Sequence, residues 1–421
     1  MTTILRGNII HAPAFGTLET IPRGYLVLED GTIQGVFPDL PERYGSCPVE
    51  DCGQALIMPS FADLHLHAPQ YPMLGMGMDL PLLDWLDTYT FRTEARFEDT
   101  DYARRVYRQL ARELIAWGTT RVAMFSSRHT DATLILMEEL ENAGVTGYVG
   151  KVNMDRSSGP AQEGTEESVR ETLRWLENCH FAHIKPILTP RFTPSCSDGL
   201  LEALGKLAAE RNLPVQSHLS ENTGEITWVR ELHPDCGQYW ETYDKYGLWK
   251  PGTLMAHCVY SDRREQEAMA GSGVWAVHCA ASNLNLCSGT APVRELIARG
   301  VHVALGSDIA GGDQLAMSRA AVMAIRASKI RRMEAGGDFL TVPEAYYLGS
   351  TAGHLYFGGG AGFEIGHKLH AIVVDDSSLP EPARELTLAE RFERSIYLLE
   401  KEHIRAVYSE GRLLPRSADG R

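Results

Sequence analysis

Residues 59–72 read "PSFADLHLHAPQYP" and follow an apolar run, "ALIM", at 55–58. A short apolar run closed by turn residues predicts a buried strand. Side chains at i and i+2 of a strand share a face. Asp63, His65 and His67 are therefore expected to point one way, and Leu64 and Leu66 the other. Two imidazoles at one strand end have a bland reading, histidines hydrogen-bonded in a polar loop. The sharper reading is part of a metal site, because imidazole is the commonest metal ligand at neutral pH.

From Phe61 onward apolar runs recur at a regular beat: "TRVAMFSS", "TGYVGKVNM", "HIKPILTPRF", "LPVQSHLSE", "GTLMAHCVY", "GVWAVHCAAS" and "VHVALGSDI". Helical patterns lie between them, such as "DYARRVYRQLARELIAWG", "TEESVRETLRWLENC", "DGLLEALGKLAAER" and "APVRELIARG". With the strand that ends in His65–His67 there are eight β-runs, the number a (β/α)8 TIM-like barrel requires. A doubly wound open sheet is the alternative, disfavoured because no G-x-G-x-x-G or Walker loop follows the first strand. Ahead of the barrel, "TTILRGNII" and "GYLVLEDGTIQGVFP" read as strands, with a tight hairpin turn at Asp30-Gly31. Behind it, two helical patterns ("SRAAVMAIRASKIRRMEAG", "TVPEAYYLGSTAGHLYF") and the link "GGGAGFEIG" lead to β again in "KLHAIVVDD" and "IRAVYSEGRLL". A helix is expected around residues 386–402. The expected organisation is a barrel over 59–361 and a small β-sandwich composed from 1–58 and 362–421.

The barrel reading gives the histidines a place, since such folds keep their chemistry at the C-terminal ends of the strands. His218 closes the fifth run, His257 the sixth and Asp308 the eighth. With His65 and His67 on the first, four strand ends carry metal-capable side chains at the predicted rim. This recurrence favours metal binding by the set over the polar-loop reading.

Composition sets outer limits. The chain has 421 residues, 44% hydrophobic and 23% charged, which is ample for a large core. A formal net charge of -15 with no long basic run argues against nucleic acid or an anionic membrane as a partner and favours a small ligand. The eight cysteines form no C-x-x-C pair and read as reduced thiols of a cytoplasmic protein. The first residues lack a signal-peptide pattern, and no window approaches an uninterrupted membrane-spanning run.

These strand ends follow the pattern of the amidohydrolase superfamily, and the sequence resembles its guanine deaminase family. The pieces that carry the resemblance are "DLHLHAPQYPMLGMGMDLPLLDWLDTYTFRTEARF", "GKVNMDR", "KPILTPRF", "QSHLSEN", "MAHCVY" and "GSDIAGG". They run through nearly the whole chain, and the block after the first histidine pair is far more specific than H-x-H alone. The resemblance implies a zinc-dependent aminohydrolase of cyclic amidines, taking guanine to xanthine and ammonia by a zinc-activated hydroxide in purine catabolism. It implies His65, His67, His218 and His257 as ligands of one Zn2+ per chain, and Asp308 as carboxylate ligand and proton acceptor. It implies Glu221 as general acid/base, and Gln70, Arg191, Phe192, His218 and Glu221 as contacts to a small-molecule purine, in a homodimer.

The physical chemistry agrees with those roles. Zinc lowers the pKa of a bound water to ~7, a carboxyl beside it can shuttle protons, and Arg can grip a purine O6/N7 edge with two donors. Gln70 offers both a donor and an acceptor, and Phe192 an apolar face. The competing readings are a surface ion pair for Arg191 and a core position for Phe192. His278 and His129 are further candidates to line the pocket or steady a water. Lys185 sits early on the fourth run, where binuclear relatives carry a bridging modified lysine, and its position argues for one metal. One departure stands out: the family commonly has "HCPNSN" where this chain has His278-Cys279-Ala280-Ala281-Ser282-Asn283, which bears on substrate preference. Cys258, where relatives often have glycine, is either a reactive or a buried inert thiol. Two other outcomes stay open. One is a related deaminase acting on 8-oxoguanine, an adenosine derivative, cytosine or a triazine. The other is a non-catalytic relative serving as a binding or assembly module.

Overall fold

The computed structural model describes residues 2–415. Met1 and residues 416–421 of the expected composite domain lie outside the described residues. The chain begins with β1 (Thr2–His11), β2 (Glu19–Glu29), β3 (Thr32–Phe37), β4 (Val49–Pro59) and β5 (Phe61–His67). Then come β6 (Thr119–Phe125), β7 (Thr146–Gly150), β8 (Val152–Asn153), β9 (Ile184–Pro186), β10 (Thr189–Pro190) and β11 (Gln216–Leu219). The last are β12 (Leu254–His257), β13 (Trp275–His278), β14 (His302–Leu305), β15 (Ala371–Val374), β16 (Ile404–Ser409) and β17 (Arg412–Leu413). The long helices Thr100–Ala116, Thr165–Asn178, Asp198–Glu210 and Met317–Ala335 fall on the predicted helical patterns. Asp99 starts the first of them by accepting the Asp101 and Tyr102 amides at 3.0 Å.

The fold is mixed α/β. Two four-stranded sheets, β5-β6-β7-β9 and β11-β12-β13-β14, are parallel throughout. Hydrogen bonds also pass from one sheet to the other at two places. Leu188 pairs with Val215 in a parallel bridge, and on the far edges Asp308 N–H donates to His65 O (2.8 Å) and His67 N–H to Ile309 O (3.1 Å). Ala62, Leu64, Ala123, Ile187, Leu254, Ala256, Val277 and Ala304 form one apolar group between the strands. A far larger layer packs strands against helices.

Three expectations need correction. Leu64 and Leu66 do not share a face: Leu64 joins the group between the strands, Leu66 the outer layer. The pairing of β5 with β6 slips between Asp63 and Leu66, and such an irregularity breaks strict alternation while leaving His65 and His67 on the same site. The terminal segments make a single seven-stranded sheet, ordered β17-β16-β15-β4-β1-β2-β3, rather than the two sheets of a sandwich. The cause is β1, which pairs antiparallel with β2 and parallel with β4, joining both halves. The run ending in "HCAAS" stops being strand at His278, and Ala280–Asn285 is helical. The Asp30-Gly31 turn stands as expected: both residues are left-handed (φ 48° and 75°), as a two-residue hairpin demands. No helix of the described residues is long and apolar enough to cross a membrane.

Candidate active site

The C-terminal ends of the parallel strands bring five distant side chains together. The donor atoms of His65, His67 and His218 lie within 4.8 Å of one another, as do those of His65, His257 and Asp308. Asp308 Oδ1 is 3.2 Å from His65 Nε2 and 3.5 Å from His67 Nε2, and its Oδ2 is 3.7 Å from His257 Nε2. Glu221 Oε2 approaches His257 Nε2 to 3.4 Å. All six residues are buried. His257 and Asp308 hold left-handed backbone (φ 75° and 48°), a conformation disfavoured for side-chain-bearing residues and common where a structure must aim a functional group.

The far sides of the imidazoles decide which nitrogen faces the centre. His218 Nδ1 lies 2.6 Å from Arg191 O, and His257 Nδ1 lies 2.8 Å from Asn283 Oδ1. A carbonyl oxygen can only accept, so His218 Nδ1 carries its proton and Nε2 keeps a lone pair toward the centre. His218 Nε2 is 3.2 Å from His67 Nε2. His65 Nε2 is buried and faces Asp308 Oδ1 at 3.2 Å. Converging lone pairs and a buried carboxylate suit a divalent transition metal, and the residues present fit one.

Burial first, then His65, pushes the His67 and His218 imidazoles well below the usual histidine range, so both are neutral, the form that ligates metal. Burial opposes the charge of Asp308, but His65 and His257 outweigh it and hold the carboxyl below the ordinary aspartate range. Burial drives Glu221 the other way, up to about 7, against the pull of His257. The two carboxyls beside the imidazoles are therefore unlike: one stays charged, the other can hold a proton near neutrality.

The cavity over this cluster is lined by His67, Gln70, Leu82, Trp85, Leu86, Arg191, Phe192, His218, Glu221, His257, Leu286, Asp308 and Gly311. Every residue expected to hold the purine thus shares one cavity with the cluster. Arg191 is buried, which displaces the surface ion-pair reading, whereas Phe192 is both a member of an apolar cluster and part of the cavity wall. Asn153 O accepts the Arg191 amide (3.2 Å), and Arg156 binds the carbonyls of Thr193, Pro194 and Cys196 at 2.6–2.9 Å, so the "GKVNMDR" segment supports the "TPRF" segment.

His278 and His129 do not line the cavity. His129 is held by Ser127 at 3.2 Å. Lys185 is exposed and donates to Phe181 O at 2.8 Å. Cys258 is buried and burial pushes its thiol up, which makes it the inert kind.

Three neighbours were not singled out by sequence reasoning. Glu94, buried on the short helix Phe91–Ala95, accepts from Gln70 Nε2 (2.9 Å) and Arg191 Nη1 (2.7 Å). Ser288 Oγ donates to Glu221 Oε1 (3.0 Å). Asn283, in the altered loop, supports His257. Glu94 lies inside the specific "TFRTEARF" block, the only available signal for it. Ser288 carries none.

The wider comparisons agree with this geometry. Residues 56–414 match the amidohydrolase family. Guanine deaminase of Dictyostelium discoideum is 32% identical over 97% of both chains, and that of Mus musculus 38% identical over 77% of this chain and 74% of its own. A solved guanine deaminase from C. acetobutylicum, with guanine bound in its active site, superposes with a TM-score of 0.95 at 41% identity, covering 99% of this chain and all of the other. With such matches over nearly its whole length, the chain belongs to the amidohydrolase family and groups there with the guanine deaminases.

Proposed function

We infer that the protein hydrolyses the C2 amine of guanine, consuming water and yielding xanthine and ammonia. The observation that carries this reading is one cavity lined both by His67, His218, His257, Asp308 and Glu221, with His65 completing the cluster behind them, and by Gln70, Arg191 and Phe192. Zinc, one ion per chain, is the metal we assign, because imidazoles plus one carboxylate suit it and Lys185 points away from the cluster. Zinc supplies Lewis acidity that brings water ionisation near neutrality.

The chain's residues do the rest. Asp308, held charged, takes one proton from the attacking water and gives it to the departing amine as the C–N bond breaks. Glu221, able to hold a proton near neutrality, delivers it to the ring nitrogen next to C2 and is reloaded by the second proton of the attacking water's oxygen as the new C2 carbonyl forms. Ser288 keeps the Glu221 carboxyl turned to the reacting carbon. Arg191 and Gln70 grip the purine edge, and Phe192 packs on its face.

The same reading extends to architecture. The eight strands β5, β6, β7, β9, β11, β12, β13 and β14 are taken as one closed (β/α)8 barrel, supported by the hydrogen bonds between the two parallel sheets at both edges. Residues 59–361 form that unit, and 1–58 with 362–421 the smaller one. A cytoplasmic homodimer is the state the family resemblance implies, to be measured by sedimentation. Ammonia release from guanine, 8-oxoguanine, adenine, cytosine and S-adenosylhomocysteine, with metal analysis of the same preparation, tests the whole reading. Guanine is expected to lead the panel with one zinc per chain. A higher kcat/KM for any other substrate overturns the assignment.

A further inference from the structure

Behind the cavity wall lies a buried carboxylate that the deamination chemistry does not use. Glu94 is 1% exposed and is not itself a lining residue, but it holds two residues that are. Its Oε1 accepts from Gln70 Nε2 at 2.9 Å and its Oε2 from Arg191 Nη1 at 2.7 Å. Phe91, three residues earlier on the same short helix, lies under the Arg191 guanidinium at 5.3 Å. On the other side of Gln70, the Ala310 amide donates to Oε1 at 3.0 Å.

These contacts remove an ambiguity that a glutamine normally carries. A backbone N–H can only donate, and a carboxylate paired with arginine can only accept. Ala310 therefore faces the Gln70 oxygen and Glu94 the Gln70 nitrogen, whichever way the amide might otherwise turn. What Gln70 has left for a ligand is its second N–H and the one lone pair of Oε1 that Ala310 does not use. Arg191 has only N–H groups to offer. The remaining wall there is apolar: Leu82, Leu86, and Trp85, whose indole N–H is spent on Met76 O at 2.9 Å.

We propose that Glu94 is a specificity-determining positioning residue that turns the N–H groups of Gln70 and Arg191 into a donor-rich edge, selecting purines with an oxo group and ring nitrogens there and rejecting those with an amino group at that position. An oxopurine edge presents acceptors to that wall, whereas a 6-amino group sets N–H against N–H and leaves buried donors unmatched. The proposal deepens the guanine reading and rests on it.

The test compares guanine with 2,6-diaminopurine, which keeps the amine at C2 and replaces only the C6 oxygen. Glu94→Gln replaces the acceptor-only carboxylate with an amide that can also donate, which loosens the hold on Gln70 Nε2 and removes the counter-charge of Arg191. The expected result is a fall in the guanine-to-diaminopurine ratio of kcat/KM by at least about tenfold, carried mainly by KM for guanine, with metal content unchanged. Glu94→Asp keeps the charge beside Arg191, serves if Glu94→Gln does not fold, and should give an intermediate ratio. Equal losses on both purines, with the ratio kept, would mean that Glu94 merely supports the fold and would overturn the proposal. Equilibrium binding of both purines to the metal-loaded protein separates the two claims. Wild-type protein that prefers guanine but releases no ammonia overturns deamination and upholds the donor-rich edge. Equal binding of both purines by wild type overturns that edge.

Discussion

In the metal-capable cluster His65, His67, His218, His257 and Asp308 stand on or just beyond the ends of parallel strands. In the set around the expected purine contacts, Gln70, Arg191 and Glu94 stand on a 3-10 turn, a loop and a five-residue helix. The first group is placed by backbone ladders: Asp308 N–H and His67 N–H bond across to β5 and to the segment after β14. The second is placed by side chains gripping side chains, with a single carboxylate joining two of them. Ladder positions tolerate the loss of a neighbour because the main chain still aims each group. A side-chain clamp does not, since one substitution releases both partners at once. The two groups should therefore fail differently. Damage among the imidazoles should abolish metal and turnover together, and damage among the purine contacts should change affinity and selectivity while the metal stays.

The largest effect is expected from His65→Ala, which removes the one residue common to both ligand triples. Metal content should fall well below one per chain and activity by about a thousandfold or more, read by elemental analysis beside ammonia release. Full metal and activity in this variant would break the contrast at its stronger end. Glu221→Gln comes next. It keeps the shape and the Ser288 contact but cannot cycle a proton, so kcat should drop by roughly 10²–10⁴ while the metal remains bound. Loss of metal along with turnover would instead place Glu221 among the ligands. The smallest is Gln70→Ala: KM for guanine should rise by about tenfold, with kcat and metal nearly unchanged. Wild-type affinity for guanine in that variant would remove Gln70 from the purine contacts.

Legibility in the sequence followed the same division. The strand-end histidines were readable because the β/α rhythm is strong and a parallel strand announces where it stops. "QSHLSE", "MAHC" and "GSD" each put a metal-capable side chain at such a stop. The helices at 100–116, 165–178, 198–210 and 317–335 were equally plain from their apolar spacing. Glu94 was not, because a glutamate on a short helix is normally a solvated group, and only the approach of Arg191, 97 residues along, makes it a buried acceptor. Ser288 and Asn283 escaped for the same reason, being ordinary polar residues until the fold sets them beside Glu221 and His257. The helices packed over the cavity at residues 82–98 gave no long apolar stripe to detect.

The slip in β5 marks where local rules end. Alternation correctly groups His65 with His67 but misplaces Leu64 and Leu66 relative to one another, because a bulge is set by the partner strand and not by the run itself. The single terminal sheet has a similar origin: nothing in residues 2–11 announces that the strand will pair with β2 on one edge and β4 on the other. By itself, the sequence determined the order of strands and helices, the chemical identity of the cluster and which strand ends carry it. Those properties depend on periodicity and residue type, which are local. Only the tertiary structure decided which imidazole nitrogen faces inward, that Glu221 and Asp308 are driven apart in acidity, and that Glu94 ties Gln70 to Arg191. Each of these depends on burial and on partners tens to hundreds of residues away, and low-dielectric contacts of that kind exist only once the chain is packed.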